Sequence, residues 1–273
     1  MPRSRDLDFL GHIARESFRF REAITEAASD APVQPCPGWT ADDLLWHLGE
    51  VQWFWGSIVA RGVTSTAGVE QVEELKPERP ATRTGLLEFF DSASAQLSKV
   101  LTAAQPDTRV WTWADDDQTA GFIRRRQAHE ALIHRVDAEL SAGLRTAMDP
   151  VLGADGVDEA LRIMYGGDIP AWGSFTASDD RTLLITATDT ADSWLVAVGR
   201  FSGTDPADGK AYDQPGMLVA DAAPDASAAA AIEGCAADLD CWLWHRPTTA
   251  AIGRSGSPAV LEDIDSLVAA GIS

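Results

Sequence analysis

Between residues 32 and 39 the chain reads Pro-Val-Gln-Pro-Cys-Pro-Gly-Trp, and no helix can run through it. Each proline lacks the N–H that an α-helix needs and clashes with the carbonyl four residues back. A helix-like spread of apolar positions, Phe9, Ile13, Phe18 and Ile24 within residues 6–28, stops before this break. A second begins just after it, in TADDLLWHLGEVQWFWGSIVA. Thr40 is placed to cap that helix, and Asp42 and Asp43 suit the positive end of its dipole. The break therefore ends one helix before the next begins. Residues 61–82, with Gly62, Gly68, Pro77 and Pro80, read as a long polar loop. A third helix is expected over 84–104, another break over 106–119, and a fourth helix over 121–142 that stops at Gly143. Four amphipathic helices with such connections predict an antiparallel bundle.

The pattern changes after Met148 and Pro150. A short helix is expected near 155–164. RTLLITATD and SWLVAVGRF then read as paired strands, being rich in β-branched and apolar residues around a turn. MLVAD, Met217 to Asp221, is a candidate third strand; residues 226–244 and 258–270 read as helices. The expected fold class is α+β: a helical bundle over residues 1–148, followed by a smaller α+β domain over 149–273.

Charge narrows the partners. The formal net charge of -20, spread along the chain, would repel a nucleic-acid backbone and an anionic membrane surface alike. An anionic substrate would need local arginine or metal charge at its site. No run of about 18 apolar residues occurs to span a membrane, and MPRSRDLDFL holds no apolar core of a signal peptide. Three cysteines, Cys36, Cys235 and Cys241, are too few and too irregularly spaced for a disulfide framework or a cysteine metal site. A soluble cytoplasmic protein, monomer or homodimer, acting on a small molecule is the expectation.

Of five histidines, three fall where chemistry is plausible. Glu130 and His134 are four apart on the fourth predicted helix, so they stack on one face a turn apart. The order His129-Glu130 followed by His134 is not a zincin HExxH: His129 and His134 are five apart and diverge by roughly 140°. A third ligand must come from a facing helix, and His47, set among Leu44, Leu45, Leu48 and Val51, is the candidate. Two histidines and one glutamate leave a coordination position open, as catalytic zinc sites do; Fe(II) and nickel also accept such donors. The same spacings serve a hydrogen-bonded core histidine, or a plain helix-face pair of Glu130 with Arg126 or His134. Asp137, three residues past His134, is placed to orient that ring, or to form a surface ion pair with Arg135. Trp39, Trp46, Trp53, Trp55, Trp111 and Trp113 are expected mostly in the core, with one or two near loops lining a pocket.

The strings at Pro35 to Thr40, Asp43 to Leu48 and Glu130 to Ala138 resemble the mycothiol-dependent maleylpyruvate isomerase family within the DinB-like bundle superfamily. Gly234 to Pro247, GCAADLDCWLWHRP, resembles a second-domain helix of the same family, except that His245 stands where a small residue is expected. The resemblance implies a DinB-like four-helix bundle whose metal ligands are His47, Glu130 and His134, and a substrate-side arginine at Arg246. It implies mycothiol as thiol cofactor or co-substrate beside a divalent metal, zinc foremost. The implied enzyme is a cis–trans isomerase of a maleylpyruvate-like enedioate, or a thiol S-transferase. A hydrolase or lyase using a metal-bound water, and a non-enzymatic ligand-binding member, are the alternatives.

Overall fold

The computed structural model describes residues 7–167, 169–177, 180–220 and 227–271. These divide into two compact units, one ending at Ala147 and the other beginning at Met148.

The first unit is built on four long helices: α1 (Phe9–Glu26), α2 (Ala41–Arg61), α4 (Arg83–Ala103) and α5 (Ala120–Ser141). Each starts on a side chain that accepts a backbone N–H of the first turn: Asp8, Thr40, Thr82 and Thr119. Gly62, in the left-handed region at φ 61°, ends α2. The polar stretch expected as one long loop contains a further short helix, α3 (Thr66–Glu73), capped by Ser65. Its eight residues bury only Val72, so it carries almost no apolar periodicity for a sequence reading to detect. Helices α2 and α4 approach closely where α2 has no side chain. A Cβ on Gly49 would lie 3.1 Å from the Phe89 ring, and one on Gly56 would lie 3.4 Å from the Leu97 backbone.

Helix α5 is enclosed on nearly all sides, with 16 of its 22 residues buried. It is nonetheless rich in charge, so its ionised groups must find partners inside the protein. Arg135 is fully buried and does not pair with Asp137 at the surface. Its Nε donates to Glu16 of α1 at 3.0 Å and its Nη1 to Glu139 at 2.9 Å. Residues two apart on a helix point away from each other, which is why Asp137 and Arg135 part company. The tryptophans also depart from expectation: of the six in this unit only Trp55 is buried, and Trp113 is 44% exposed. Indoles are large enough to cover a core edge without entering it.

In the second unit, α6 (Pro150–Glu159) begins on Asp149 and continues as a π-helical turn, Ala160–Gly166, a longer segment than the short helix expected there. Six strands follow: β1 (Gly173–Thr176), β2 (Thr182–Ala187), β3 (Ser193–Thr204), β4 (Ala211–Ala220), β5 (Ala230–Gly234) and β6 (Gly253–Gly256). The sheet runs β1-β3-β2-β5-β6, with β4 on the other edge of β3. Among the described residues only β2 and β5 pair in parallel. Leu183, Ile185 and Ala187 of β2 alternate into the core with Trp194, Val196 and Val198 of β3. That face is covered by α6, the π turn, α7 (Ala236–Leu243) and α8 (Pro258–Ala270), through Val157, Leu161, Leu239, Leu243, Val260 and Ile264. The expected helix over 226–244 is therefore β5 followed by α7, its first residue lying outside the described ones. The alanine-rich tract has high helix propensity, but parallel pairing with β2 overrides it. The expected third strand forms part of β4, which starts earlier, at Ala211; Asp221 lies outside the described residues. Among the described residues no helix is long and apolar enough to cross a membrane.

The buried pair between α1 and α5 gives a direct expectation. Replacing Glu16 by Leu leaves Arg135 short of a buried counter-charge and should cost about 3–5 kcal/mol. Adding Arg135→Met should recover much of that loss, read from the midpoints of urea denaturation.

Candidate functional site

The site begins with the proline-rich break. Val33 N–H donates to Trp39 C=O, Cys36 N–H to Val33 C=O and Trp39 N–H to Cys36 C=O. Gly38 supplies the left-handed φ of 87° that closes the turn. The turn delivers the chain to Thr40, where α2 starts with a reciprocal cap. Thr40 Oγ accepts the Asp43 N–H at 3.3 Å, while the Thr40 N–H and O–H both donate to Asp43 Oδ2, at 2.9 and 2.7 Å. His47 follows one turn later.

From α2, His47 faces Glu130 and His134 of α5. His47 Nε2 lies 3.2 Å from Glu130 Oε1, and His134 Nε2 lies 3.1 Å from the same oxygen. One donor atom from each of the three residues falls within 4.8 Å of the others. The two imidazoles meet edge to face, with centroids 4.9 Å apart, and the Trp39 ring lies 4.8 Å from His47 on another side. His134 Nδ1 is 2.9 Å from Asp137 Oδ2. That contact assigns the Nδ1 proton and turns Nε2 toward the cluster. Glu130 is divided similarly: Arg126 Nη2 donates to Oε2 at 2.7 Å, and Oε1 is left to the histidines. The helix-face pair of Arg126 with Glu130 thus exists alongside the cluster rather than instead of it. Exposure is graded: the side chain of His47 is 28% accessible, Glu130 17% and His134 9%.

Burial alone would raise the Glu130 carboxyl and lower His134, yet both move the other way. The charge and hydrogen bond of His134, the hydrogen bond of His47 and the charge of Arg126 hold Glu130 well below the usual carboxylate range. Glu130 and Asp137 together raise His134 to about 9, so without a cation it carries a proton at neutral pH.

The remaining histidine of the motif stands apart. His129 is buried and packs edge to face on Phe9 of α1 at 6.2 Å, in keeping with its five-residue offset from His134. Cys36 reaches the rim of the site, its Sγ 4.0 Å from Asp137 Oδ2. Neither that contact nor the cover of His47 by Trp39 follows from helix periodicity; the only signal was a tryptophan and a cysteine held in a rigid loop just before the helix.

Arg246 belongs to the second unit. Helix α7 ends at Leu243, and His245 takes a left-handed φ of 61°, its ring bonded to the Val268 carbonyl. That backbone explains why a small residue is expected at this position, since glycine tolerates it without strain. The turn returns Arg246 N–H to Cys241 C=O at 2.7 Å, and its Nη1 donates to Trp244 C=O at 2.5 Å. Tyr165, from the π turn, donates to Leu243 C=O at 2.6 Å. Burial pushes its phenol up to about 12 against the pull of the Arg246 charge.

Residues 10–139 match the family model of the mycothiol maleylpyruvate isomerase N-terminal domain. The match lies within the helical unit, and it is that unit which is similar to the family. The chain is also similar over most of its length to the crystal structure of the mycothiol-dependent maleylpyruvate isomerase. There the identity is 12%, the TM-score 0.57, and coverage 92% of this chain and 93% of that one. The crystal structure of a histidine-to-alanine mutant of that isomerase gives 11% identity and a TM-score of 0.58 with the same coverage. At such identity the likeness is one of fold, helical unit followed by sheet-containing unit. No curated protein sequence matches the chain.

The cap that starts α2 carries a pH signature. Hydrogen bonds from the Thr40 side chain and backbone lower Asp43 from the usual 3.8 to about 2. The ionised cap therefore stabilises the fold above pH 3.8, and that contribution fades as pH falls toward 2. Thr40→Ala should cost about 1 kcal/mol near neutral pH. The difference from wild type in chemical denaturation should shrink below pH 3.8.

Proposed function

We propose that this protein is a divalent-metal enzyme that uses a low-molecular-weight thiol, mycothiol in this family, as its nucleophile. It would act in cis–trans isomerisation of a maleylpyruvate-like enedioate or in thiol S-transfer. The observation that carries the reading is the convergence of one donor atom each from His47, Glu130 and His134 within 4.8 Å, from two different helices. The likeness of the helical unit to that family's N-terminal domain and the shared fold support it.

The donor set fits a divalent cation. Two imidazole nitrogens and one carboxylate oxygen suit zinc, with Fe(II) or nickel acceptable, and three protein ligands leave a position for a thiol or substrate. Asp137 behind His134 and Arg126 behind Glu130 are the outer partners such a site needs, holding each ligand in one orientation. A cation held there would act as a Lewis acid and lower the pKa of a thiol beside it, giving a nucleophile at neutral pH.

The chain's own groups do the rest. Asp137 accepts a hydrogen bond from His134 Nδ1–H and so keeps Nε2 turned toward the cluster to ligate. Arg126 neutralises one carboxylate oxygen while the other faces the cluster. Trp39 screens one side of His47 from water. Arg246, in the isomerase reading, would hold a substrate carboxylate through paired N–H donors. Because His134 binds a proton at neutral pH in the absence of a cation, metal uptake should release it.

Metal analysis of the purified protein should find about one equivalent, and His47→Ala and His134→Ala should each lose most of it. Asp137→Ala should weaken metal affinity roughly 10–100-fold while leaving the ligands in place. Metal content unchanged by the ligand substitutions would overturn the site. Incubation with mycothiol and maleylpyruvate, following loss of the cis isomer, tests the isomerase; chlorodinitrobenzene in place of maleylpyruvate tests the transferase. Turnover of neither would redirect the assignment to a metal-dependent hydrolase or a ligand-binding protein.

A further inference from the structure

The first unit holds a cleft of about 200 Å³ between α2 and α3. Its walls on α2 are Val51, Trp53, Phe54 and Trp55, joined by Glu50; Glu73 and Lys76 close it from α3 and the residues just after. At about 100° per residue, Glu50, Val51 and Phe54 point within about 60° of the direction of His47. Val51 and Phe54 lie about 6 and about 10 Å further along the same helix. The cleft therefore continues the face of α2 that carries His47, the most accessible of the three candidate ligands.

Its chemistry is unlike a dicarboxylate site. The one base, Lys76, is already paired with Glu50 at 2.8 Å, which leaves the acid of Glu73 and an aromatic wall. That wall is held in place by its own packing: Phe54 meets Trp55 edge to face at 5.0 Å, and Trp55 stacks on Trp111 at 6.0 Å. A dianion entering here would lose hydration and gain no free cation, inside a chain whose net charge is already -20. An uncharged ring gains apolar burial and offset stacking instead. The volume is adequate for one, since an apolar cavity of about 150 Å³ takes up benzene.

We propose that this cleft is the electrophile subsite, and that it selects a neutral aromatic substrate over an enedioate. The inference rests on the thiol-nucleophile reading above and deepens it toward S-transfer. In that step the thiol sulfur forms a C–S bond to the ring carbon. The leaving group departs with its bonding pair, chloride in the case of chlorodinitrobenzene. The thiol proton goes to solvent, and no oxidant or reductant is required.

Binding and turnover test it separately. Calorimetric titration of the purified full-length protein uses dinitrobenzene, which has no leaving halide, and maleate as the two probes. Dinitrobenzene should bind at least about tenfold more tightly than maleate, and Phe54→Ala should weaken it by roughly tenfold without loss of bound metal. Glu73→Lys, at an exposed position that the fold should tolerate, should narrow the preference by strengthening maleate binding. With mycothiol, the wild type should show a higher kcat/KM for chlorodinitrobenzene than for maleylpyruvate, and Phe54→Ala should raise KM more than it lowers kcat. Tighter binding of maleate, dinitrobenzene affinity indifferent to both substitutions, or faster isomerisation than conjugation would each overturn the cleft assignment. His47→Ala separates the two readings. Loss of metal with dinitrobenzene binding intact supports both, whereas metal retained in His47→Ala removes the metal-thiol reading and leaves the cleft to be judged by binding alone.

Discussion

The charge buried along α5 is the constraint on which the helical unit turns. A helix enclosed on almost every side is expected to be apolar, yet this one carries Arg126, Glu130, His134, Arg135, Asp137 and Glu139 within fourteen residues. Each would be prohibitively costly to bury alone, so each specifies something about its neighbours. Arg135 requires Glu16 of α1 and Glu139 one turn on. Glu130 requires Arg126 on one oxygen and two imidazoles on the other. The arrangement fixes the rotation of α5 against α1 and α2 more sharply than apolar contact would, because a slip of one residue would strand several charges together.

This also separates two roles that look alike in sequence. Arg126 and Arg135 are both arginines of one helix, and both are almost wholly inaccessible. Arg135 closes a structural network with Glu16, Glu139 and Thr146. Arg126 touches a candidate ligand and so sets how much negative charge Glu130 presents. The distinction lies in which carboxylate each meets, a matter of three-dimensional placement.

Much of this was legible in the residues, and what was missed has identifiable causes. Helices α1, α2, α4 and α5 were readable because capping side chains, apolar periodicity and proline or glycine breaks agree at each. Glu130 and His134 were readable as a pair because four residues on a helix means one face. That His47 would meet them required either a resemblance or a structure, since no rule of periodicity says which helix faces which. Helix α3 was missed because it buries one side chain, and β5 because an alanine-rich tract says helix until a parallel neighbour says otherwise. The long hairpin of β3 and β4 was only half seen: Tyr212 to Pro215 of β4 lack the continuous apolar signal of a strand and are held by register with β3.

The turn at residues 32–40 has a consequence for how the site comes apart. It covers His47 with Trp39, brings Cys36 to Asp137 and ends in the cap that starts α2, all within one short stretch of backbone. The cover of His47, the Cys36 contact to Asp137 and the start of the ligand-bearing helix thus belong to a single local folding unit rather than being three independent attachments. Any fluctuation that frays the first turns of α2 would open the roof of the cluster and withdraw one of its donors together. Amide exchange at Leu44 to Leu48 would then track access to the site, and the residence time of whatever occupies it would be set by the opening rate of a helix end.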